Sequence, residues 1–290
     1  MISNLFQQFI YLGGHMKNFV TQSWLLENRL NDDLIILDAR AELNDAKAGF
    51  NQYKEGHISG AQFVSMENTM TGEIGPHGGR HPLPDMKIFI DEMKNLGIND
   101  SSTIIVYDDG NLAMAGRLWW LLKYAGKDNV FLLEGGIKHW IDNGLETTTA
   151  ITKPRISTSL NLYLNSAMIA EISEVKTATA STSTAIVDSR AHERYSGQIE
   201  PLDKLPGHIP NALNYPWMDL VNEGTIIDIE NINEKFKSLD KYEEIIVHCG
   251  SGITGTVNVL FMEEAGLKPK LYPGGYSDWV SYDDNEVVKD

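Results

Sequence analysis

Short apolar runs bounded by charged or glycine-containing turns alternate along this chain with segments whose apolar residues return every three or four positions. The clearest runs are residues 34–37, 104–106, 185–187 and 245–247, rich in Ile, Val and Leu, and their length and β-branched content predict buried strands. Behind the last run, Ile253, Val257, Leu260, Phe261 and Ala265 fall on one face of a predicted helix. Strands alternating with helices predict an α/β fold, a mostly parallel central sheet flanked by helices. Sites in such sheets form outside the carboxyl ends of the strands.

The pattern occurs twice. Asp38-Ala39-Arg40 and Asp188-Ser189-Arg190 each follow an apolar run, and a Gly-His-Ile turn comes next, with His57 and His208 lying 19 and 20 residues after the aspartates. The runs ending at Tyr107-Asp108 and His248-Cys249 follow, and then Gly135-Gly136 with Trp140 and Gly274-Gly275 with Trp279. Four landmarks in one order predict tandem homologous domains, 17–150 and 158–290, joined within 147–159, where threonines and Pro154 break the periodicity. A second Ser/Thr/Ala-rich stretch, 177–184, is expected to be a loop. Trp119, Trp120, Trp140 and Trp279, at helical spacing, are expected in the core. The first copy has 51 residues from His57 to Asp108, against 41 from His208 to Cys249. The excess includes Gly78-Gly79-Arg80-His81-Pro82-Leu83-Pro84, which reads either as a surface loop or as a contributor to a site.

Composition narrows the function. A length of 290 residues with 42% apolar content suits two domains with cores of their own. The formal charge of −16 and the lack of a basic cluster argue against nucleic acid, and no stretch approaches a membrane span. Any small anionic substrate needs local arginines against the repulsive overall field. Gln7 and Gln8 interrupt the apolar residues before Met16, and no basic residue precedes them. A signal peptide is therefore not expected, and Met16 is the expected start of translation. One cysteine among 290 residues excludes an internal disulfide framework, and a free thiol fits a reducing compartment, the cytoplasm. The scattered histidines predict no metal site, and no glycine pattern predicts a nucleotide cofactor.

That cysteine, Cys249, sits where an apolar strand runs into Gly250-Ser251-Gly252 and then a helix. Loop amides and the positive end of a helix directed at a thiol favour the thiolate. The same amides suit a persulfide, a diffuse anion, as an anion nest does. Small Gly250 and Gly252 let the backbone approach the terminal sulfur, and Ser251 adds a hydroxyl. Asp108 holds the corresponding position in the first copy and cannot act as a thiol nucleophile, so only the second domain is expected to be active.

Together these residues resemble the tandem rhodanese-type sulfurtransferases over about residues 17–285. In that family thiosulfate-type members carry basic residues just after the cysteine, whereas 3-mercaptopyruvate sulfurtransferases carry Cys-Gly-Ser-Gly-Val-Thr. The stretch Cys249-Gly250-Ser251-Gly252-Ile253-Thr254 is similar to the second kind, and the Asp38-Ala39-Arg40 and 78–84 stretches are similar to its bacterial branch. The resemblance implies two tandem rhodanese-like domains and transfer of sulfane sulfur from a small-molecule donor through a Cys249 persulfide. The acceptor would be a thiol, cyanide or sulfite, with a thioredoxin-like reductant as a partner.

The resemblance also implies roles for particular residues. Arg194 matches the arginine that takes the substrate carboxylate, as a guanidinium fork suits, and Arg190 would brace the loop or its charge. A proton-moving serine, histidine and aspartate would be Ser251, His57 and Asp45. Where some members have a second substrate arginine after a Glu-Pro pair, this chain reads Glu200-Pro201-Leu202-Asp203-Lys204, so Arg80 is the expected substitute, with Lys204 the other choice. Three other readings stay open: a thiosulfate:cyanide sulfurtransferase of the same fold, a persulfide carrier without turnover, and a phosphatase-like enzyme. The last needs an arginine closing the loop, and Gly255 stands six residues after Cys249.

Overall fold

The structure is a computed structural model and describes residues 16–153, 156–157, 159–222 and 225–290. The segment before Met16, and Pro154 in the expected join, lie outside the described residues. The first unit runs β1 (Phe19–Val20), α1 (Gln22–Asn28), β2 (Leu34–Asp38), α2 (Ala48–Glu55), β3 (Ala61–Phe63), α3 (Met86–Asn95), β4 (Thr103–Tyr107), α4 (Ala113–Tyr124), β5 (Val130–Leu133) and α5 (Gly136–Asp142). The second runs α6 (Ile172–Ala178), β6 (Thr184–Asp188), α7 (His192–Tyr195), β7 (Ala212–Asn214), β8 (Val221–Asn222), β9 (Thr225–Ile226), α8 (Ile229–Phe236), β10 (Glu244–His248), α9 (Gly255–Glu264), β11 (Lys270–Leu271) and α10 (Gly275–Trp279).

Each unit is built on a parallel sheet, in the order β1-β5-β4-β2-β3 in the first and β11-β10-β6-β7 in the second. The two orders coincide once β1 is set aside, and a parallel bridge from Ile169 to Leu271 stands where β1 meets β5. His57 bridges to Thr148 as His208 does to Val288. The register sets Asp38 beside Tyr107 and Asp188 beside His248. The Asp-x-Arg turn and the residue that follows the central strand therefore share one end of each sheet.

The helix after the cysteine is not amphipathic, contrary to its one-faced pattern. Residues 255–262 of α9 and 113–122 of α4 are buried all round, because each helix has its own sheet on one side and the other helix on the opposite side. A helix apolar on every side lies inside a molecule, and here the interior is the seam between the units, where one core cluster includes Trp119, Trp120, Leu260 and Phe261. Trp140 and Trp279 anchor matching smaller clusters on the far faces of the two sheets. Their indoles donate to Glu146 O at 3.0 Å and Glu286 O at 2.9 Å. The stretch expected as a loop at 177–184 begins inside α6, since Ala178 is buried there and the Thr177 hydroxyl donates to Ser173 O at 2.9 Å. Among the described residues no helix is long and apolar enough to cross a membrane.

Candidate active site

Cys249 leaves β10 at the carboxyl edge of the second sheet with only 2% of its surface exposed. Its sulfur accepts the Gly252 N–H at 3.2 Å, and its carbonyl and that of Gly250 accept the Tyr276 and Ser277 N–H groups, both at 2.8 Å, from α10. Gly252 has φ +81°, and a Cβ there would stand 2.0 Å from Pro273 O, so the loop closes only with glycine. The side chain of Ile253 packs in the seam core, and Thr254, half-buried, makes no side-chain cap on α9. Of these last two, Ile253 offers the site its backbone alone.

The first copy displays what such a loop does to an anion. The Asp108 carboxylate accepts the N–H groups of Gly110, Leu112, Met114 and Ala115 at 2.8, 3.2, 3.2 and 3.1 Å. The loop that would cradle a sulfur anion is filled there by the chain's own carboxylate.

The insertion in the first unit docks on the second. His77 stacks on Tyr282 with ring centres 3.9 Å apart, and the Gly78 N–H donates to Asp278 at 2.6 Å. Arg80 pairs with Asp203, and His81 Nδ1 stands 2.7 Å from the Ser251 hydroxyl. A Cβ at Gly250 would lie 3.1 Å from Arg80 Nη2 and 3.3 Å from Arg194 Nη1, so the absent side chain leaves both guanidiniums against the cysteine loop. Arg194 is itself held by Glu200 at 2.8 Å and Asp203 at 3.1 Å. Lys204 pairs with exposed Asp283 at 3.1 Å, and Arg80 is the second cation at the loop. Burial in the main, then Arg80 and Arg117, pushes the His81 imidazole down to about 4, so it is neutral near pH 7.

Two expected residues are placed elsewhere, and a third braces the fold. His57 is buried in its turn, its ring nitrogens 2.6 Å from Tyr53 O and 3.2 Å from Ala150 O, and it stacks on Tyr53 at 3.8 Å, as His208 stacks on Tyr195 at 3.8 Å. The ring that meets Ser251 is His81. Asp45 is exposed and accepts the Lys47 N–H at 2.9 Å. Arg190 grips Asp188 at 2.6 Å and reaches Glu200 at 3.1 Å and Gly207 O at 2.8 Å, and its side chain is buried. Arg40 repeats that grip on Asp38 at 2.6 Å in the first copy, so this arginine serves the fold, as a brace. His81 was legible only as one member of an insertion rich in Arg, His and Pro. Arg117, whose guanidinium donates to Gly252 O at 2.9 Å, gave no sign of itself among the tryptophans of α4.

A model of the rhodanese-like domain matches residues 21–143 and 171–282. The probable 3-mercaptopyruvate sulfurtransferase of Pseudomonas aeruginosa is 33% identical over 88% of this chain and 93% of its own length. The 3-mercaptopyruvate sulfurtransferase of Escherichia coli is 33% identical over 90% and 94%, and the putative thiosulfate sulfurtransferase SseB of Mycobacterium tuberculosis 32% over 86% and 89%. The solved structure of SseA from Escherichia coli superposes with a TM-score of 0.79 at 32% identity, covering 90% of this chain and 99% of that one. With two parallel sheets of one strand order, a cysteine loop closing the second and the family model found twice along its length, the chain belongs to the family of rhodanese-like domain proteins.

Proposed function

We propose that this protein is a sulfurtransferase that takes sulfane sulfur from 3-mercaptopyruvate onto Cys249 as a persulfide and passes it to a thiol, cyanide or sulfite. The observation that carries the reading is the convergence on one loop of the Cys249 sulfur, two guanidiniums and the Ser251–His81 pair. The donor carboxylate lies between Arg194 and Arg80. The Cys249 thiolate attacks the donor sulfur, the carbon–sulfur bond breaks, and its electron pair stays on the carbon as the enolate of pyruvate. The proton of the donor thiol is carried to that carbon through Ser251 and His81, which leaves pyruvate and a persulfide anion cradled by the loop amides. In the second step an acceptor thiolate, cyanide or sulfite attacks the outer sulfur and restores the Cys249 thiolate.

Thiosulfate would release sulfite, which needs no proton, so the serine–histidine pair favours the keto-thiol. Chemistry confined to the second of two domains, 17–150 and 158–290, a thioredoxin-like reductant and a cytoplasmic setting belong to the same proposal. The test is side-by-side kinetics with both donors, using cyanide and a dithiol as acceptors, on the wild type and Cys249→Ser, with mass spectrometry after donor alone. One added sulfur on Cys249 and sustained pyruvate release are expected. Undiminished pyruvate release by Cys249→Ser would sink the reading. A stoichiometric persulfide without turnover would make the protein a carrier, and a specificity constant about tenfold higher for thiosulfate, about 1.4 kcal/mol, would reassign the donor.

A further inference from the structure

Arg117 extends from α4, in the first unit, across the seam to the cysteine loop, with 0% of its surface exposed. One terminal nitrogen donates to Gly252 O at 2.9 Å, and the other reaches the carbonyls of Met70, His81 and Pro82 at 3.1, 3.2 and 3.4 Å. Every one of these partners is a neutral carbonyl. The other arginines near the loop all have carboxylates: Arg80 has Asp203, Arg190 has Asp188 and Glu200, and Arg194 has Glu200 and Asp203. Among the described residues Arg117 makes no ion pair.

Removing a guanidinium from water without a counter-ion is strongly unfavourable. Neutral carbonyls offset part of that, and a nearby anion offsets more. The nearest carboxylate that is not already in an ion pair, Asp278, is turned to the Tyr272 hydroxyl and the Gly78 N–H on the α10 side of the loop and makes no ion pair with Arg117. Burial pushes Arg117 down to about 10, and the residue whose carbonyl it holds, Gly252, is the one whose N–H the Cys249 sulfur accepts.

We propose that Arg117 is a positioning residue whose buried charge is the counter-ion of the Cys249 anion, thiolate and persulfide alike, while its carbonyl contacts hold the His81 segment against the cysteine loop. The first domain, without a nucleophile of its own, thereby contributes a charge to the site as well as the insertion. The proposal rests on Cys249 as the sulfur-carrying group, but its test uses no sulfur donor, so the two readings fail separately.

The experiment is the rate of Cys249 alkylation by iodoacetamide across pH in the full chain, for the wild type, Arg117→Met and Arg117→Lys. Loss of the charge is expected to slow alkylation at pH 7 by at least about fivefold in Arg117→Met, with the rate on the alkaline plateau within about twofold of the wild type. Lysine, which keeps the charge and loses the fork, is expected to stay within about threefold of the wild type at pH 7. Equal slowing at both ends of the profile, or a smaller effect at pH 7, would assign Arg117 a purely structural role and overturn the proposal. If Arg117→Met does not fold, Arg117→Lys decides alone: a rate at pH 7 within about threefold supports the counter-ion, and a larger drop refutes it.

Discussion

Replacing His81 by alanine separates proton movement from sulfur binding. The substitution removes the ring that stands 2.7 Å from the Ser251 hydroxyl and keeps the backbone carbonyl that Arg117 holds at 3.2 Å, so the loop tether survives. A positioned proton-transfer group contributes about 10² to 10⁴ in rate, or about 2.8 to 5.6 kcal/mol of barrier at about 1.4 kcal/mol per decade. Turnover of 3-mercaptopyruvate is therefore expected to fall at least about a hundredfold. Turnover of thiosulfate, whose leaving sulfite takes no proton, is expected to stay within about threefold. Both are read with cyanide as acceptor on one enzyme preparation. Equal losses for the two donors, or less than about a threefold loss for 3-mercaptopyruvate, would refute the proton-transfer role.

The pH profile gives a second reading of the same ring. With His81 pushed down to about 4, the acid limb of kcat/KM for 3-mercaptopyruvate that comes from this residue lies near pH 4, well below the ordinary histidine value of about 6.5. The sign for stability follows from the same shift. The unfolded chain binds this proton at a higher pH than the native one, so the stability present above about pH 6.5 is lost progressively as the pH falls toward 4.

Three further substitutions probe the rest of the site. Arg80→Ala removes one of the two guanidiniums at Gly250. At about 1.5 to 3 kcal/mol for a charged hydrogen bond it should raise the KM for 3-mercaptopyruvate about tenfold or more, with kcat little changed, and an unchanged KM would exclude it from donor binding. Asp203→Asn weakens the internal carboxylate that holds both Arg80 and Arg194, and the freed guanidiniums should lower the KM for anionic donors by about threefold to tenfold. A raised KM would show instead that Asp203 orients the arginines. Gly252→Ala places a Cβ 2.0 Å from Pro273 O at φ +81°. It should destabilise the fold by more than the roughly 1–2 kcal/mol of a left-handed alanine, read by urea denaturation, and should reduce persulfide formation, whereas wild-type stability would remove the glycine argument.

The location of the Cys249 thiol was legible because it depends on local pattern. A run of β-branched residues ends at Cys249, glycines follow, and a helix begins, so backbone preference alone puts the thiol at a strand end under loop amides. The repeat was legible for a similar reason, since each copy has to rebuild the same sheet edge with the same Asp-x-Arg grip. The choice of histidine was not legible. The Gly-His-Ile turn stands out in sequence because it occurs twice, yet His57 and His208 occupy equivalent stacked and hydrogen-bonded places, which marks a scaffold. The histidine that meets Ser251 lies 170 residues away along the chain, and local spacing carries no information about such a pair.

The sequence by itself determined the two α/β units, the strand that presents Cys249 and the small residues that open its loop, because these follow from periodicity and from the volume of single side chains. The tertiary structure alone decided what surrounds the sulfur. Docking of the first unit's insertion brings Arg80 and His81 to the second unit's loop, the charge of Arg194 is shared with Glu200 and Asp203, and Arg117 is buried from behind. The physical reason is that charge compensation and burial depend on distances across the seam between α4 and α9, and those distances exist only once both helices have been covered on every side.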